Sequence, residues 1–211
     1  MKPIIFVRVA DMKYYKGITE LDKPVNGGSF VNETGLAHEC YNFNPVIEDG
    51  CEVEKCLGFF MMNGNNIQEL HIEKIPGCKL FKKEEEITNV IVVFISKAFG
   101  SKTMRVVGFY KNATAFRYPH YIEVDNDYEQ EYMFEAEKKN CVVLPYSTRF
   151  SSSKWYVPSS TARGNTFGFG RSNVWYAGGE GASPEELAYV EKMITSIDSY
   201  LDENWIEKRG E

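Results

Sequence analysis

Apolar runs separated by polar or glycine-containing stretches occur along most of the chain, and this pattern predicts a fold built mainly from β-strands. The longest run is Val-Ile-Val-Val-Phe-Ile, which lies within residues 89–97, and a second run covers residues 104–110. Between them, residues 98–102 read Ala-Phe-Gly-Ser-Lys and contain the glycine and serine typical of a turn. We therefore predict a central antiparallel hairpin formed by 89–97 and 104–110.

Weaker patterns of the same kind predict further strands at 3–10, 56–63, 67–73, 131–137 and 141–144. The dipeptide Asn63-Gly64 is typical of a hairpin turn and would join the second of these strands to the third. Residues 11–45 mix glycine with aromatic and polar groups, which predicts loops, and the charged stretch 79–88 predicts a solvated turn.

The C-terminal part of the chain carries a helical pattern. Ser183 precedes Pro184 and stands three residues before Glu186, which is the arrangement of an N-cap with a capping box. Apolar side chains then recur at steps of three and four, at Leu187, Val190, Ile194, Ile197 and Leu201. We predict a helix over about 184–206 that packs on the sheet through this stripe. Since no repeat or linker interrupts the chain, we predict one α+β domain over 1–211, with mostly antiparallel strands.

Composition narrows the class of protein. The 211 residues are 43% hydrophobic and 14% aromatic, which suits a globular core rather than a disordered chain. The net charge of -6 argues against a protein that coats nucleic acid through its overall charge. No stretch approaches the roughly 20 apolar residues that cross a membrane. Five cysteines without a secretion signal are typical of reduced thiols, so we expect a cytoplasmic protein.

The sequence does not predict a catalytic or metal centre. Its cysteines and His71 lack the Cys-x2-Cys pair that zinc sites normally show. The glycines at 164–170 lack the lysine and hydroxyl residue of a phosphate loop, and neither G-x-S-x-G nor H-E-x-x-H occurs. We therefore predict no cofactor, no metal and no enzyme activity in this chain.

Residues 138–179, which we call the acid-free segment, contain no Asp or Glu although the protein as a whole is acidic. The segment holds six cations, at Lys138, Lys139, Arg149, Lys154, Arg163 and Arg171, and eight aromatic residues. Cations attract phosphate oxygens, and flat rings can stack on bases. The segment is therefore either a nucleic-acid-binding surface or a surface loop whose rings pack beneath it.

Two smaller features each allow a functional and a structural interpretation. His38 and Glu39 could form a general base pair, although adjacent residues of an extended chain point apart. Lys111, Asn112 and Thr114 follow the apolar run 104–110, where a strand end could present ligand-reading side chains or simply turn.

Four motifs together resemble a known family. They are Asp-Met-Lys-Tyr-Tyr-Lys-Gly at 11–17, Gly27-Gly28 with 35–43, Gly-Phe-Tyr-Lys-Asn-Ala-Thr at 108–114, and Ser-Asn-Val-Trp-Tyr-Ala at 172–177. In this order they are similar to a bacterial module found N-terminal to HNH-type nuclease domains in restriction-like proteins. That module is regarded as PUA-like, akin to the EVE, YTH and SRA readers of modified bases. This chain departs from it at Asp11, where the motif has Trp, and in a cysteine-rich insertion at 48–56.

The resemblance implies a PUA-like, partly closed β-barrel flanked by helices, with a pocket that accepts a flipped and possibly modified base. Trp175 and Tyr110 would form the stacking walls. The implied pocket residues are Tyr14, Tyr15, His38, Tyr110, Asn112, Asn173, Trp175 and Tyr176, and the implied phosphate ligands are Lys111, Lys154, Arg163 and Arg171. The partner would be nucleic acid, DNA rather than RNA, and a fused or partner nuclease would supply the chemistry of a modification-dependent restriction system.

Two other functions remain open from the sequence. The same pocket could serve a small-molecule-binding domain or an enzyme that uses His38 and Glu39 as acid and base. Alternatively, the aromatic residues could form a protein interface. Salt dependence separates these functions, because phosphate contacts make affinity fall steeply with salt.

Overall fold

A computed structural model describes residues 1–25, 38–48, 50–62, 69–98, 100–101, 103–125 and 128–209. It shows an α+β fold in which nine strands form one mixed, mostly antiparallel sheet. The strands are β1 Ile4–Arg8, β2 Pro45–Val46, β3 Lys55–Gly58, β4 Glu86–Ser96, β5 Met104–Asp125, β6 Tyr128–Glu137, β7 Cys141–Val143, β8 Tyr156–Val157 and β9 Val174–Trp175. The two α-helices are α1 Tyr146–Ser151 and α2 Pro184–Asp198, and short 3-10 helices cover His38–Tyr41, Ile72–Lys74, Lys138–Asn140, Ser153–Trp155 and Trp205–Glu207.

The predicted central hairpin is confirmed by the pairing of β4 with β5, which runs from Ser96 opposite Arg105 to Glu86 opposite Phe116. The predicted end of the second strand near Lys111 is wrong, because β5 continues to Asp125 and pairs there with β6. The sheet order is β2-β3-β6-β5-β4-β1-β9, and β7 and β8 also pair with β5. β1 is the strand that runs parallel to its neighbour, β4.

Alternation of side chains along the strands divides the interior between the two faces of the sheet. On β1, Val7 belongs to one of the two large buried clusters and Phe6 to the other. We call these the coil-covered face and the helix-covered face. Residues 12–15, 40–43, 56–60 and 70–78 contribute to the first cluster, and α2 together with 155–169 contributes to the second.

Helix α2 begins where the sequence predicts. The Ser183 hydroxyl accepts the backbone N–H of Glu186 at 3.2 Å, and Pro184 occupies the first turn. Val190, Ile194 and Ile197 are buried against the sheet. The helix ends at Asp198 instead of about 206, and Leu201 is 94% exposed, so the apolar stripe does not extend to that residue.

Other expectations require correction. The described strands do not close into a barrel, since β2 and β9 lie at opposite ends of the hydrogen-bonded order. The described part of the expected strand 67–73 is coil leading into the 3-10 helix Ile72–Lys74. The turn at Asn63-Gly64 and the motif glycines Gly27 and Gly28 lie outside the described residues. Within the described ranges, no helix combines the length and apolar character needed to cross a membrane.

Candidate functional site

Tyr110 is a core residue rather than a wall of an open pocket. Its side chain is fully buried on the coil-covered face, and its hydroxyl donates to the carbonyl oxygen of Asn42. The ring contacts Phe43 and Phe94 with centroid distances of 5.3 and 4.8 Å. Burial raises the pKa of the Tyr110 hydroxyl well above its ordinary value.

Trp175 lies on the other face of the sheet. It stands opposite Phe6 in the pairing of β9 with β1, and its ring centroid is 5.0 Å from that of Phe6. Further aromatic neighbours are Phe167, Phe169 and Tyr189, at 5.9–6.5 Å. Tyr110 and Trp175 therefore do not enclose one cavity. The prediction that they form two stacking walls is wrong, because strand alternation directs them to opposite sides of the sheet.

Most of the other implied pocket residues have structural partners at separate places. Tyr15 is fully buried and donates its hydroxyl to the Ala10 carbonyl at 2.7 Å. Tyr14 stacks on Trp205 with centroids 5.3 Å apart. Asn173 donates its side-chain amide to the Met61 carbonyl at 2.7 Å. These contacts are internal to the protein, and they account for the three side chains without a ligand.

Asn112 is exposed in the interior of β5, with a φ of 52°. Its expected position at a strand end is therefore wrong. The positive φ occurs between the Tyr110 and Ala113 pairs, where the register of β4 and β5 shifts. Asparagine tolerates this backbone conformation better than most residues, so the strand irregularity accounts for Asn112.

His38 and Glu39 point in different directions. His38 accepts the backbone N–H of Glu131 through Nδ1 at 3.1 Å, whereas Glu39 accepts the backbone N–H of Ala10 through Oε1 at 2.9 Å. Burial raises the pKa of Glu39 to about 7, and the hydrogen bond from Ala10 opposes this shift. The expected acid–base pairing of the two side chains does not occur in this arrangement.

The cations of the acid-free segment divide into three groups. Lys138 and Lys139 form ion pairs with nearby glutamates. Arg149 is fully buried and donates to the carbonyl oxygens of Leu144, Met12 and Lys13 at 2.5–3.1 Å. Lys154 lies over the rings of Trp155 and Tyr200, and Arg163 and Arg171 are exposed.

The implied phosphate ligands do not form one cluster. Lys154 adjoins β8, where Tyr156 pairs with Arg105 of β5. Lys111 lies farther along the same strand, and at about 3.3 Å per residue it is roughly 20 Å from Arg105. Lys111 therefore lies too far from Lys154 to contact the same short stretch of a nucleic-acid backbone. The implied phosphate ligands Lys111, Lys154, Arg163 and Arg171 do not form a single site.

Tyr176 is the implied pocket residue that borders a large cavity. A groove of about 910 Å³ separates the loop after the 3-10 helix Ile72–Lys74 from the loop that leads into α2. We call it the Tyr176 groove; it is lined by 73–77, Lys79, Lys82, Tyr176, 178–182 and Glu186. Its volume lies in the range of about 300–1,000 Å³ that is usual for ligand sites.

The Tyr176 ring is held firmly at this groove. Its hydroxyl accepts the backbone N–H of His71 at 3.1 Å, and Lys74 Nζ lies 5.9 Å from the ring centroid. Burial raises the pKa of the Tyr176 hydroxyl far above its ordinary value, so the hydroxyl is neutral at physiological pH. A fixed, half-buried ring is a suitable surface on which a planar ligand can stack.

The groove lining carries three lysines and three glutamates, so it has no net charge, but the pairing of these groups leaves two of the lysines available. Glu73 binds Arg117, Glu180 binds Lys79, and Glu186 accepts the backbone N–H of Gly178 at 2.9 Å. Across the described ranges, Lys74 and Lys82 have no carboxylate within ion-pair distance. The groove therefore offers two lysines and an aromatic ring to a planar, anionic ligand.

The groove lysines were not among the residues that the sequence singled out. Lys74, Lys79 and Lys82 lie outside the acid-free segment and close to glutamates in the sequence, so no local excess of positive charge marks them. No group of three or more His, Cys, Asp or Glu side chains in the described part of the chain could hold a metal ion. The Tyr176 ring with Lys74 and Lys82 suits the groove to binding through stacking and cationic contacts.

Comparisons with known proteins do not identify the chain. No family model matches it, and no curated protein or solved structure matches it at significance.

Proposed function

We propose that this chain is a nucleic-acid-binding module that holds one base, with its flanking phosphates, in the Tyr176 groove. The observation that carries the proposal is the combination of a fixed tyrosine ring with two lysines that have no carboxylate partner, Lys74 and Lys82, around one cavity. Stacking a base on an aromatic side chain contributes about 1–3 kcal/mol, and lysines at the rim add contacts to phosphate.

The resemblance to PUA-like modules adds the biological context of this proposal. The bound base is modified and is flipped from DNA, and the module acts as the specificity domain of a restriction system. A fused or partner nuclease cleaves the DNA. The open sheet of this chain would then be a variant of the PUA-like architecture in which the described strands do not close the barrel.

An oligonucleotide binding screen tests the proposal. Single-stranded oligonucleotides that differ only in the modification of one base are titrated by fluorescence anisotropy at fixed ionic strength. We expect Tyr176→Ala to lower the affinity for the preferred oligonucleotide by about tenfold or more, since a stacking surface is lost. Tyr176→Phe keeps the ring and serves as the matched variant, which should bind nearly as well.

Two results would reject the proposal. One is the absence of binding to any oligonucleotide in the screen, and the other is a folded Tyr176→Ala variant with the affinity of the wild type. Circular dichroism of each variant separates loss of binding from loss of structure.

The groove volume also favours a second candidate, a small-molecule-binding domain. His38 and Glu39 do not line the groove, so this candidate does not include them as acid and base. Free nucleosides and nucleotides in isothermal titration calorimetry distinguish the two functions. Tight binding of a free nucleotide together with weak, salt-insensitive binding of oligonucleotides would favour the small molecule.

A further inference from the structure

Strands β5 and β6 extend beyond the rest of the sheet as a two-stranded hairpin. The pairing of β4 with β5 ends at Phe116, and the pairing of β3 with β6 begins at Phe134. Beyond these residues, among the described strands, β5 and β6 pair only with each other. We call residues 118–125 and 128–133 the acidic hairpin, because the two ranges contain four carboxylates and neither Lys nor Arg. The carboxylates are those of Glu123, Asp125, Glu129 and Glu131.

One edge of the acidic hairpin carries unpaired backbone groups. The backbone N–H of Glu131 donates to Nδ1 of His38 at 3.1 Å, so it points away from β5. Glu131 stands opposite Tyr121, and Glu129 stands opposite Glu123. Because hydrogen-bonded and non-hydrogen-bonded pairs alternate in an antiparallel ladder, the N–H and C=O groups of Tyr121 and Glu123 point away from β6. No strand in the described part of the chain pairs with them there.

The residues near this edge are typical of an open edge. Pro119 lies two residues before Tyr121, and proline within a sheet is confined to positions whose missing N–H would face outward. Tyr118 and Tyr121 are 45% and 57% exposed, although both are large aromatic residues. The edge therefore combines unpaired backbone groups with exposed aromatic surface.

The carboxylates of the acidic hairpin repel one another. Glu123 and Glu129 are both exposed and directly opposite in register, an arrangement that destabilises a strand pair. Within the described ranges, neither forms an ion pair. Burial raises the pKa of Glu131, and repulsion from Glu129 adds to this rise. A cation placed beside these side chains would relieve the repulsion.

We propose that the outer edge of β5 in the acidic hairpin binds an extended, lysine- or arginine-rich segment of a partner protein, which adds a strand to the sheet. The unpaired N–H and C=O groups match those of an extended polypeptide, and main-chain hydrogen bonds supply affinity in this mode of recognition. The carboxylates select basic side chains, because opposite charges on neighbouring strands attract. A second copy of the same edge does not fit, since it would place one row of carboxylates against another.

This inference is independent of the function proposed for the Tyr176 groove. None of the residues of the acidic hairpin is part of the groove lining. Tyr176→Ala should therefore bind the partner segment as the wild type does. Conversely, changes in the acidic hairpin should not weaken the binding of oligonucleotides.

A synthetic peptide serves as the probe. It alternates threonine with lysine over about eight residues, so that its lysines share one face of the strand it forms. Anisotropy titrations at low ionic strength measure its affinity. We expect Glu123→Gln/Glu129→Gln to weaken binding by about fivefold, since two ion pairs with lysine are lost. The same variant should unfold at a slightly higher temperature, because the repulsion between the two carboxylates is removed.

Two controls separate strand pairing from attraction between charges. Glu52→Gln/Glu191→Gln removes two exposed carboxylates outside the acidic hairpin and should bind the peptide as the wild type does. A peptide of the same sequence with alternate amides N-methylated keeps its charge but loses its donors, and it should bind about tenfold more weakly. In NMR hydrogen exchange, the unmethylated peptide should slow exchange of the Tyr121 and Glu123 amides.

Several results would overturn the proposal. They are the absence of peptide binding to the wild type, equal binding of the N-methylated peptide, and unchanged affinity in Glu123→Gln/Glu129→Gln. Sedimentation that shows a dimer of the wild type, with the Tyr121 and Glu123 amides protected in the absence of peptide, would assign the edge to a second copy instead.

Discussion

Arg117 and Glu73 form an ion pair with an N–O distance of 2.9 Å, which connects the central strand β5 to the wall of the Tyr176 groove. Both side chains are largely buried. Burial opposes ionisation of Glu73, but hydrogen bonds from its own backbone N–H and from Arg117 prevail and lower its pKa. Because Arg117 also donates to the carbonyl oxygens of Phe81 and Lys82, one guanidinium holds both the groove wall and the loop that contains these two residues.

Replacing Arg117 should destabilise the fold. We expect Arg117→Ala to lower the free energy of unfolding by about 3 kcal/mol, because it leaves Glu73 and the carbonyl oxygens of Phe81, Lys82 and Glu84 without their donor. Arg117→Lys keeps the charge but not the forked geometry, so its loss should be smaller. Urea unfolding measures both. Lys79→Ala removes only an exposed ion pair and is the control; equal losses in Lys79→Ala and Arg117→Ala would contradict the prediction.

The groove lysines should determine part of the salt dependence of DNA binding. Each phosphate contact contributes roughly 0.7 to 0.9 to the slope of log affinity against log salt concentration. The double variant Lys74→Ala/Lys82→Ala should therefore bind more weakly and with a shallower slope. Anisotropy titrations over a series of salt concentrations give this slope. Lys139→Ala, at an exposed lysine outside the groove, should leave the slope unchanged, and an equal effect would argue against the groove.

Tyr110 should affect stability without affecting nucleic-acid binding. Tyr110→Phe removes the hydroxyl that donates to the Asn42 carbonyl and leaves that buried oxygen without this donor, which should cost about 1 kcal/mol or more. The ring remains in the core, so the affinity for oligonucleotides should match that of the wild type. Thermal unfolding and anisotropy are the two measurements. A large loss of affinity with unchanged stability would contradict this prediction and indicate that Tyr110 belongs to the binding site.

Glu39 should make stability depend on pH. Its pKa of about 7 in the folded chain exceeds the ordinary value of 4.5, so between these values the folded state holds a proton that the unfolded state releases. The free energy of unfolding should therefore fall as pH rises through this window, by up to about 3 kcal/mol. Glu39→Gln should remove this pH-dependent fall in the free energy of unfolding, so the variant should be more stable than the wild type at about pH 8.

Urea unfolding at about pH 5 and about pH 8 tests the effect of Glu39. Glu191→Gln, which alters an exposed carboxylate on α2, should keep the wild-type pH dependence. A Glu39→Gln variant with that same dependence would show that Glu39 does not cause it.

Short sequence patterns were sufficient to predict those elements that are stabilised by interactions between residues close together in the chain. The run 90–95 and the serine cap at Ser183 specify β4 and the start of α2 because branched apolar residues and capping hydrogen bonds act within a few residues. The full length of β5 was not predictable in this way. The strand contains Asn112 and Pro119, which disfavour a strand, and the register of β5 and β6 shifts between Ala115 and His120, around the proline.

The order of residues was enough to predict the strand-rich α+β class, the central hairpin, the beginning of the last helix and the local excess of positive charge in 138–179. The folded chain was needed to show that Tyr110 and Trp175 face opposite ways, that Arg149 is buried, and that Tyr176 meets Lys74 and Lys82 at one groove. This is because the periodicity of a strand shows only that successive residues point to alternate faces of the sheet. It does not show which face will be covered, or which distant loops will come together there.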